Sequence, residues 1–471
     1  MLAQIALGSD TCLARRFAEW SASVDCAKAP HSTISCARRA ILDTIGVIAA
    51  GAVHNKCRAL SAGLADGHAP DRLLDDSVLG MQATALVNGF AAHVWDFDDT
   101  SYTGIIHGSA VILPAVLAVA QARNASERDL IEAFLVGSEV AYVLGEICTH
   151  SHFLSGWWST GSCAEVGAVA GLCRLLGLDN DQTASAIGIA CVSAAVIRSI
   201  AGTDAKPYLV GRAASQAVAT AFAAKLGLTG PHDAFEQENG FFQMLNHGHS
   251  DLAQVNSLGQ RWRIESPGLM FKTSPVCSAA HSAIEATVLL LDDNGFEATD
   301  IDRIFVEVPE LVWKSLVYSH PSNPQQAQFS LPYAIACAAL HGAVRLQDLT
   351  TEEIFSEAKQ QLTARVQWQS SERLSNNQGS QTHPESAKVC IRLKDGRTVS
   401  RFCGNARGAP DRSLTDAELV RKFRDCLTYA GQDMPDFDLQ TIDLLDLANK
   451  TLCPTKHSTE QMEDLKCGVS R

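Results

Sequence analysis

The sequence predicts a mainly α protein, with a large all-helical domain and a smaller α+β domain set over it as a lid. Three observations lead there. From residue 14 to about 265, one Ala- and Gly-rich segment after another repeats its apolar residues at helical spacing. Alternation at period two appears only later, in IDRIFVEVP (301–309) and KVCIRLKDGRTVSRFC (388–403). The length of 471 residues, with 46% hydrophobic and 19% charged, suits two or three domains of a soluble globular chain.

Taken in order, ARRFAEWSASV (14–24) and TISCARRAILDTIGVIAAGA (33–52) carry a 3.6-residue apolar period, the second closing at Gly51. LLDDSVLGMQATALVNGFAAHVWDF (73–97) and ILPAVLAVAQAR (112–123) continue it. SERDLIEAFLVGSEVAYVLGEICTH (126–150) opens with Ser126 and Asp129 at capping-box spacing. Residues 163–178, 181–197 and 211–228 read as further helices bounded by Gly, Asn, Asp or Pro. In the second part, Ile304, Val306 and Val308 mark an amphipathic strand, and Asp395-Gly396 joins two strands as a hairpin. Residues 329–344 and 351–367 between them read as helices. The stretches 414–431 and 439–450 return to helical spacing. The reading is therefore a helical domain over 1–267, an α+β lid over 268–403, and C-terminal helices over 404–471 that pack back on the first part. SSERLSNNQGSQTHPES (370–386) is a polar, loop-like excursion.

The net charge of −14, without a Lys/Arg run, excludes a nucleic-acid groove and an anionic membrane face. The fifteen cysteines hold no CxxC pair, and Cys173, Cys191 and Cys337 sit in Ala/Leu/Ile runs as buried thiols, which points to a reducing compartment. No apolar run is long enough to span a bilayer. The start, MLAQIALGSDTC, lacks the features of a secretory signal; the expectation is a cytoplasmic protein, with Arg15 and Arg16 leaving a mitochondrial leader open. GxGxxG, P-loop and GxSxG motifs are missing, so nucleotide binding and serine hydrolysis have no support.

The chain is organised around His93–Pro114, HVWDFDDTSYTGIIHGSAVILP. Asp96, Asp98, Asp99 and Thr100 sit in an apolar neighbourhood, where carboxylates are paired, capped or used. A helix through VWDFDDT would put Asp96 and Thr100 on one face. The bland reading has Asp98 and Asp99 end that helix and Ser109 cap the next, with His107 held at its start. Holding a divalent cation on DFDD would need oxygen ligands that the neighbourhood does not supply, so no metal is expected. His150-x-His152 and His247-x-His249 read as surface histidines.

Nine segments in order resemble the MmgE/PrpD family, which includes 2-methylcitrate dehydratase, cis-aconitate decarboxylase and iminodisuccinate epimerase. They are RRAILDTIGVIAAG (38–51), VNGFAAHVWDFDDT (87–100), HGSAVILPAVLA (107–118), GWWSTGSCAEVGAVAG (156–171), KPYLVGRAA (206–214), LGLTGPHDAFEQENGF (226–241), FKTSPVCSAAH (271–281), FSLPYAIACAALHG (329–342) and RKFRDC (421–426). The resemblance implies a helical domain with an α+β lid, an active site between them, no cofactor, and a homodimer. It places Asp96, His107, Lys206 and Lys272 as catalytic groups, with Thr100, Trp158, Ser159, Cys277 and His281 as substrate-binding positions. Three departures stand out. Trp158 replaces the histidine of the family's Gly-Trp-His, Cys277 stands where cis-aconitate decarboxylases have histidine, and Leu209 where several members have one. Gly108 also replaces the proline of the HPS turn.

The chemistry that follows is proton transfer next to a carboxylate. His107 is the acid or base, Asp96 its orienting carboxylate, Lys206 and Lys272 the carboxylate clamps, Thr100 a hydrogen-bond donor. The expected function is a lyase, a dehydratase or decarboxylase of a small or alkyl-substituted polycarboxylic acid. An isomerase, which needs no leaving-group acid, and a non-catalytic binding protein are the alternatives.

Overall fold

The computed structural model describes residues 12–65, 76–375 and 383–452. The leader reading (1–11), the start of the 73–97 helix and the middle of the polar excursion lie outside these, as do residues 453–471. The helical part runs α1 (Leu13–Ser23), α2 (His31–Ala52), α3 (Asn55–Ala65), α4 (Asp76–His93), α5 (Ser109–Ala122), α6 (Glu127–Leu154), α7 (Ser159–Leu176), α8 (Asn180–Ser193), α9 (Ala205–Lys225) and the short α10 (Phe241–Asn246). Helix α5, SAVILPAVLAVAQA, carries no charge and is buried from Ser109 to Ala120. An all-round apolar helix must be enclosed, and α4, α6, α7 and α9 pack around it. The Ser126–Asp129 capping box opens α6 as the spacing suggested.

Helices α4 and α9 cross where glycine meets glycine: a Cβ on Gly89 would lie 2.7 Å from Gly211 Cα, and one on Gly211 only 2.2 Å from the Leu86 carbonyl. Only glycine permits that approach. It brings the end of α4, which bears His93, against the start of α9, which bears Lys206.

The second part centres on a four-stranded sheet. β1 (Thr100–Ser101) and β2 (Leu269–Met270) form a separate antiparallel pair; the sheet holds β3 (Ile301–Val308), β4 (Val366–Ser370), β5 (Ala387–Leu393) and β6 (Thr398–Cys403) in the order β4-β3-β5-β6. β3 runs parallel to β4 and antiparallel to β5, and β5–β6 is the hairpin closed through Gly396 at φ 90°. α11 (His281–Asn294) packs on β5 and β6. The remaining helices are α12 (Glu310–Ser315), α13 (Pro324–Ala327), α14 (Leu331–His341), α15 (Thr351–Ile354), α16 (Glu357–Thr363), α17 (Glu372–Ser375), α18 (Asp416–Tyr429) and α19 (Leu444–Leu452). α18 and α19 pack on α2, and Lys422 of α18 pairs with buried Asp43 of α2 at 2.8 Å.

Three expectations need correction. The segment 94–99 is not helical: α4 stops at His93, and Asp96 takes the left-handed conformation at φ 49°, which Asp tolerates better than most residues. The predicted helix over 351–367 is two short helices followed by edge strand β4, because Val366 and Trp368 continue the sheet beside β3. The predicted helix over 181–197 ends at Ser193, and the chain from 194 to 204 is a loop. Among the described residues, no helix is long and apolar enough to cross a membrane. Cys173, Cys191 and Cys337 are buried free thiols.

Candidate active site

The irregular segment between α4 and α5 has three of its carbonyls held by side chains from distant parts of the chain and a fourth faced by its own His107. Gln328 Nε2 donates to Val94 O at 2.9 Å, Lys272 Nζ to Asp96 O at 2.7 Å, and Lys422 Nζ to Phe97 O at 2.9 Å. His107 Nδ1 lies 3.1 Å from Asp99 O. Buried backbone without such partners is costly; with them the loop is rigid, and its carboxylates are aimed. β1 then pairs Thr100 with Met270 and Ser101 with Leu269, stitching the loop to the chain that leads into the sheet.

The carboxylates and cations form one buried network. Asp96 Oδ1 accepts from Lys206 Nζ at 2.6 Å and lies 3.3 Å from Lys272 Nζ. Lys206 Nζ is also 2.6 Å from His93 Nε2. His93 Nδ1 is 2.9 Å from both oxygens of Asp98, and His107 Nδ1 is 3.1 Å from Asp98 Oδ2. Asp98 therefore bridges two imidazoles whose rings lie 4.6 Å apart. Because Lys206 donates to His93 Nε2, the proton of neutral His93 sits on Nδ1 and points at Asp98. His107 Nδ1 is engaged by Asp98, the Asp99 carbonyl and Thr100 Oγ1 (3.3 Å), leaving Nε2 as the nitrogen for the cavity that His107 lines.

Electrostatics follow from this geometry. Burial alone would raise Asp96, but the ammonium groups of Lys206 and Lys272 hold it far below the usual carboxylate range. Burial opposes ionisation of Asp98 as well, and the two imidazoles carry it well below. Burial lowers His93 to about 4, against the pull of Asp98, and lowers His107 in the same sense. At neutral pH both rings are uncharged, so His107 rests as a base. Asp99 goes the other way: burial, with Asp43 and Asp98 nearby, pushes it up to about 8 despite the hydrogen bond from Ser109 Oγ at 2.5 Å. Lys272 is raised, as Asp96 and Asp98 outweigh its desolvation.

Donor atoms of His93, Asp96, Asp98 and His107 lie within 4.8 Å of one another, a set that by type suits a metal ion. Part of this set is in use, since an ammonium stands against His93 Nε2 and Asp96 Oδ1 and both imidazole Nδ1 atoms face Asp98, while Asp96 Oδ2 has no hydrogen-bond partner and His107 Nε2 is left for the cavity. A divalent cation that took His93 Nε2 as a ligand would have to displace Lys206 from it.

Beside the network lies a cavity of about 530 Å³, within the ~300–1,000 Å³ typical of small-molecule sites. His107, Lys206, Trp158 and Cys277 line it, together with Arg198, Lys314 and Glu385. Much of the wall is apolar, from Ile105, Phe153, Leu311, Val317 and Phe329. The cavity draws on both parts of the chain.

The MmgE/PrpD N-terminal domain model matches residues 15–252, and the MmgE/PrpD C-terminal domain model matches residues 274–444. The chain belongs to the MmgE/PrpD family. Relatives of this family include a protein of Mus musculus named cis-aconitate decarboxylase, 26% identical over 361 residues (72% of this chain, 70% of that one). The Homo sapiens protein of the same name is 27% identical over 351 residues (72% and 71%). A cis-aconitate decarboxylase-like protein of Aspergillus oryzae is 26% identical over 375 residues (73% and 75%).

Against the MmgE/PrpD expectations, the structure brings Asp96, Thr100, His107, Lys206 and Lys272 into one network but divides their surroundings. Asp98, not Asp96, is the carboxylate on His107, because the left-handed turn at Asp96 directs its carboxylate to the two lysines. Lys272 is fully buried behind Asp96 and does not line the cavity. Ser109 is the first residue of α5 rather than its cap, and its hydroxyl serves Asp99. Ser159 is buried at the start of α7, and His281 is buried at the start of α11, near Thr273 and the Val276 carbonyl and lowered by burial to about 3. Neither lines the cavity. Cys277 does, as a neutral thiol pushed by burial up to about 12. Leu209 packs against the helical core. His152 is not a surface residue: it is buried between Ser162 and the Leu245 carbonyl and stacks on Phe241. The departure at 108 has a local cause, since a Cβ at Gly108 would lie 2.6 Å from the ring of Tyr142.

Three site residues escaped the sequence reading, His93, Arg198 and Glu385, while Asp98 is singled out there among the buried carboxylates but not as the partner of His107. A signal existed for two of them. His93 ends an apolar helix three residues before Asp96, and Arg198 is a single cation in the apolar run SAAVIRSIAG. Glu385 accepts from Tyr102 Oη and Ser278 Oγ, both at 2.7 Å, a contact across the fold that no local pattern announces.

Proposed function

We propose that the protein is a lyase, a decarboxylase or dehydratase, acting on a small polycarboxylic acid that carries an apolar substituent. One observation supports this above the others: His107, oriented through Nδ1 by Asp98, offers its second nitrogen to the cavity that Lys206 also lines. In a dehydration the neutral imidazole takes the proton from the carbon next to a carboxylate, and the adjacent ammonium stabilises the enolate charge that develops. The C–O bond then breaks as the imidazolium returns its proton to the departing hydroxyl, which leaves as water. In a decarboxylation the C–C bond to a carboxylate breaks with loss of CO₂, the same ammonium stabilises the enolate, and a proton from water is delivered to the carbon through the imidazole. Lys272 keeps Asp96 ionised behind it, which in turn holds Lys206 in place. The apolar wall of Ile105, Phe153, Trp158, Leu311, Val317 and Phe329 exceeds what a bare tricarboxylate uses, and suits an alkyl group.

The second reading is an isomerase of the same family, favoured by Trp158. Where relatives resemble one another in a histidine, an indole supplies no proton for a leaving hydroxyl. Proton NMR in D₂O, with cis-aconitate, 2-methylcitrate, an alkylcitrate and iminodisuccinate, separates the two. New vinylic signals, absent in His107→Ala, are the lyase outcome. Deuterium at the α-carbon without loss of water or CO₂ is the isomerase outcome. Neither signal from any acid, with a folded protein, refutes both.

A further inference from the structure

Arg198 is a cation that the described residues leave without an anion. It stands on the 194–204 loop between α8 and α9 and lines the cavity. The loop is pinned beside Trp158: Arg198 N donates to the Gly156 carbonyl at 2.8 Å, and Ile197 forms a β-bridge with Trp157. The guanidinium lies over the face of Phe153, 4.2 Å from the ring centre. A stacked guanidinium keeps its N–H donors at its edge, in the fork that matches a carboxylate. Its Nη1 atom is buried and has no hydrogen-bond partner. The other cations of the cavity are already engaged. Lys206 serves Asp96 and His93, and Lys314 pairs with Glu310 of its own helix at 2.8 Å. In a half-buried guanidinium, a buried Nη1 without a partner costs stability unless an anion arrives to complete it.

We propose that Arg198 binds a carboxylate of the substrate apart from the reacting carbon, and so makes the enzyme selective for acids with at least two carboxylates. The proposal rests on the reading of this cavity as the substrate site. A rigid loop and an aromatic platform fix the fork before the ligand enters, so little ordering is needed on binding. Selectivity then comes mostly from Arg198: an acid lacking the second carboxylate leaves Nη1 as it is in the free protein.

Isothermal titration of the full-length protein with tricarballylate, a saturated tricarboxylate that neither reaction can consume, tests this; butyrate is the monocarboxylate control. Arg198→Gln should weaken tricarballylate by about 10- to 100-fold, the loss expected of a charge-assisted hydrogen bond, while leaving butyrate unchanged. Arg198→Lys, which keeps the charge but not the fork, should fall between. Equal binding of tricarballylate by wild type and both variants overturns the proposal, as does failure of wild type to bind it. The NMR panel separates this from the proposed reaction. Turnover with Arg198→Gln indistinguishable from wild type on every acid removes the anchor and leaves the lyase. Weakened tricarballylate binding without turnover of any acid removes the lyase and leaves the anchor.

Discussion

Asp98→Asn exchanges one oxygen for an amide nitrogen at constant volume, and the network leaves that change nowhere to go. Asp98 accepts from His93 Nδ1 at 2.9 Å and from His107 Nδ1 at 3.1 Å. A carboxylate only accepts, whereas an asparagine offers one acceptor oxygen and one donor group. One imidazole Nδ1 then faces a donor in place of an acceptor and is driven to move its proton to Nε2, with only the Asp99 carbonyl and Thr100 Oγ1 left to hold the proton of His107 on Nδ1. If that ring is His107, its basic nitrogen no longer faces the cavity; if it is His93, an N–H meets the Lys206 ammonium 2.6 Å away. The equivalent exchange beside a catalytic histidine lowers kcat by about 10⁴, or ~5 kcal/mol of barrier at 1.36 kcal/mol per decade. We expect about 10³–10⁴ here. The assay is the initial rate of product formation or α-deuteration by NMR across pH, with circular dichroism to establish the fold. A second signature is independent of amplitude. Asp98 works against burial to raise His107, so its neutralisation moves the ascending limb of the rate to lower pH. An Asp98→Asn enzyme within tenfold of wild type, its limb unmoved, would refute the assignment of Asp98 as the orienting carboxylate.

Lys272→Met leaves Asp96 buried with a single ammonium, and removal of one partner from a buried pair costs about 3–5 kcal/mol; urea denaturation should show it, and an unchanged midpoint would contradict the pairing. Asp99, ionising at about 8 in the folded chain and near ~3.9 when unfolded, binds an extra proton in the folded state between those values. Its contribution to stability is thus complete below the lower value and lost as pH rises to the upper. Asp99→Asn should gain in Tm relative to wild type from pH 5 to 8, and parallel curves would disprove the raised pKa. Trp158→His returns an imidazole to a wall 5.7 Å from Lys206 Nζ and frees volume; kcat/KM should shift toward cis-aconitate over an alkyl-substituted analogue, and an unaltered ratio would remove Trp158 as a selectivity determinant.

Much of this was legible in the residues because helix periodicity is local. The α2, α5, α6 and α7 patterns, the Ser126–Asp129 box and the Asp395-Gly396 turn each depend on neighbours within a few positions. The site was legible in membership more than in wiring. Spacing alone suggested that Asp96 faced Thr100 across a helix turn, but the turn at Asp96 is set by carbonyl partners as far away as Gln328 and Lys422. The same distance hid the exchange of roles between Asp96 and Asp98. β4 was misread because QQLTARVQ runs a helix straight into a strand whose partner, β3, lies some sixty residues earlier in the chain.

The seam between β1 and β2 bears on how this family recombines. Thr100–Ser101 and Leu269–Met270 meet backbone to backbone, a contact indifferent to side-chain identity, so a chimera joining the two regions from different parents would still dock. Lys272 on Asp96 and Glu385 on Tyr102 are different, because each needs a particular pair drawn from both parents. Exchange of the α+β part between relatives is therefore filtered by those side-chain pairs, together with Gln325 on Asp204 and Gln328 on the Val94 carbonyl, and hybrids whose parents disagree at these positions should lose activity first.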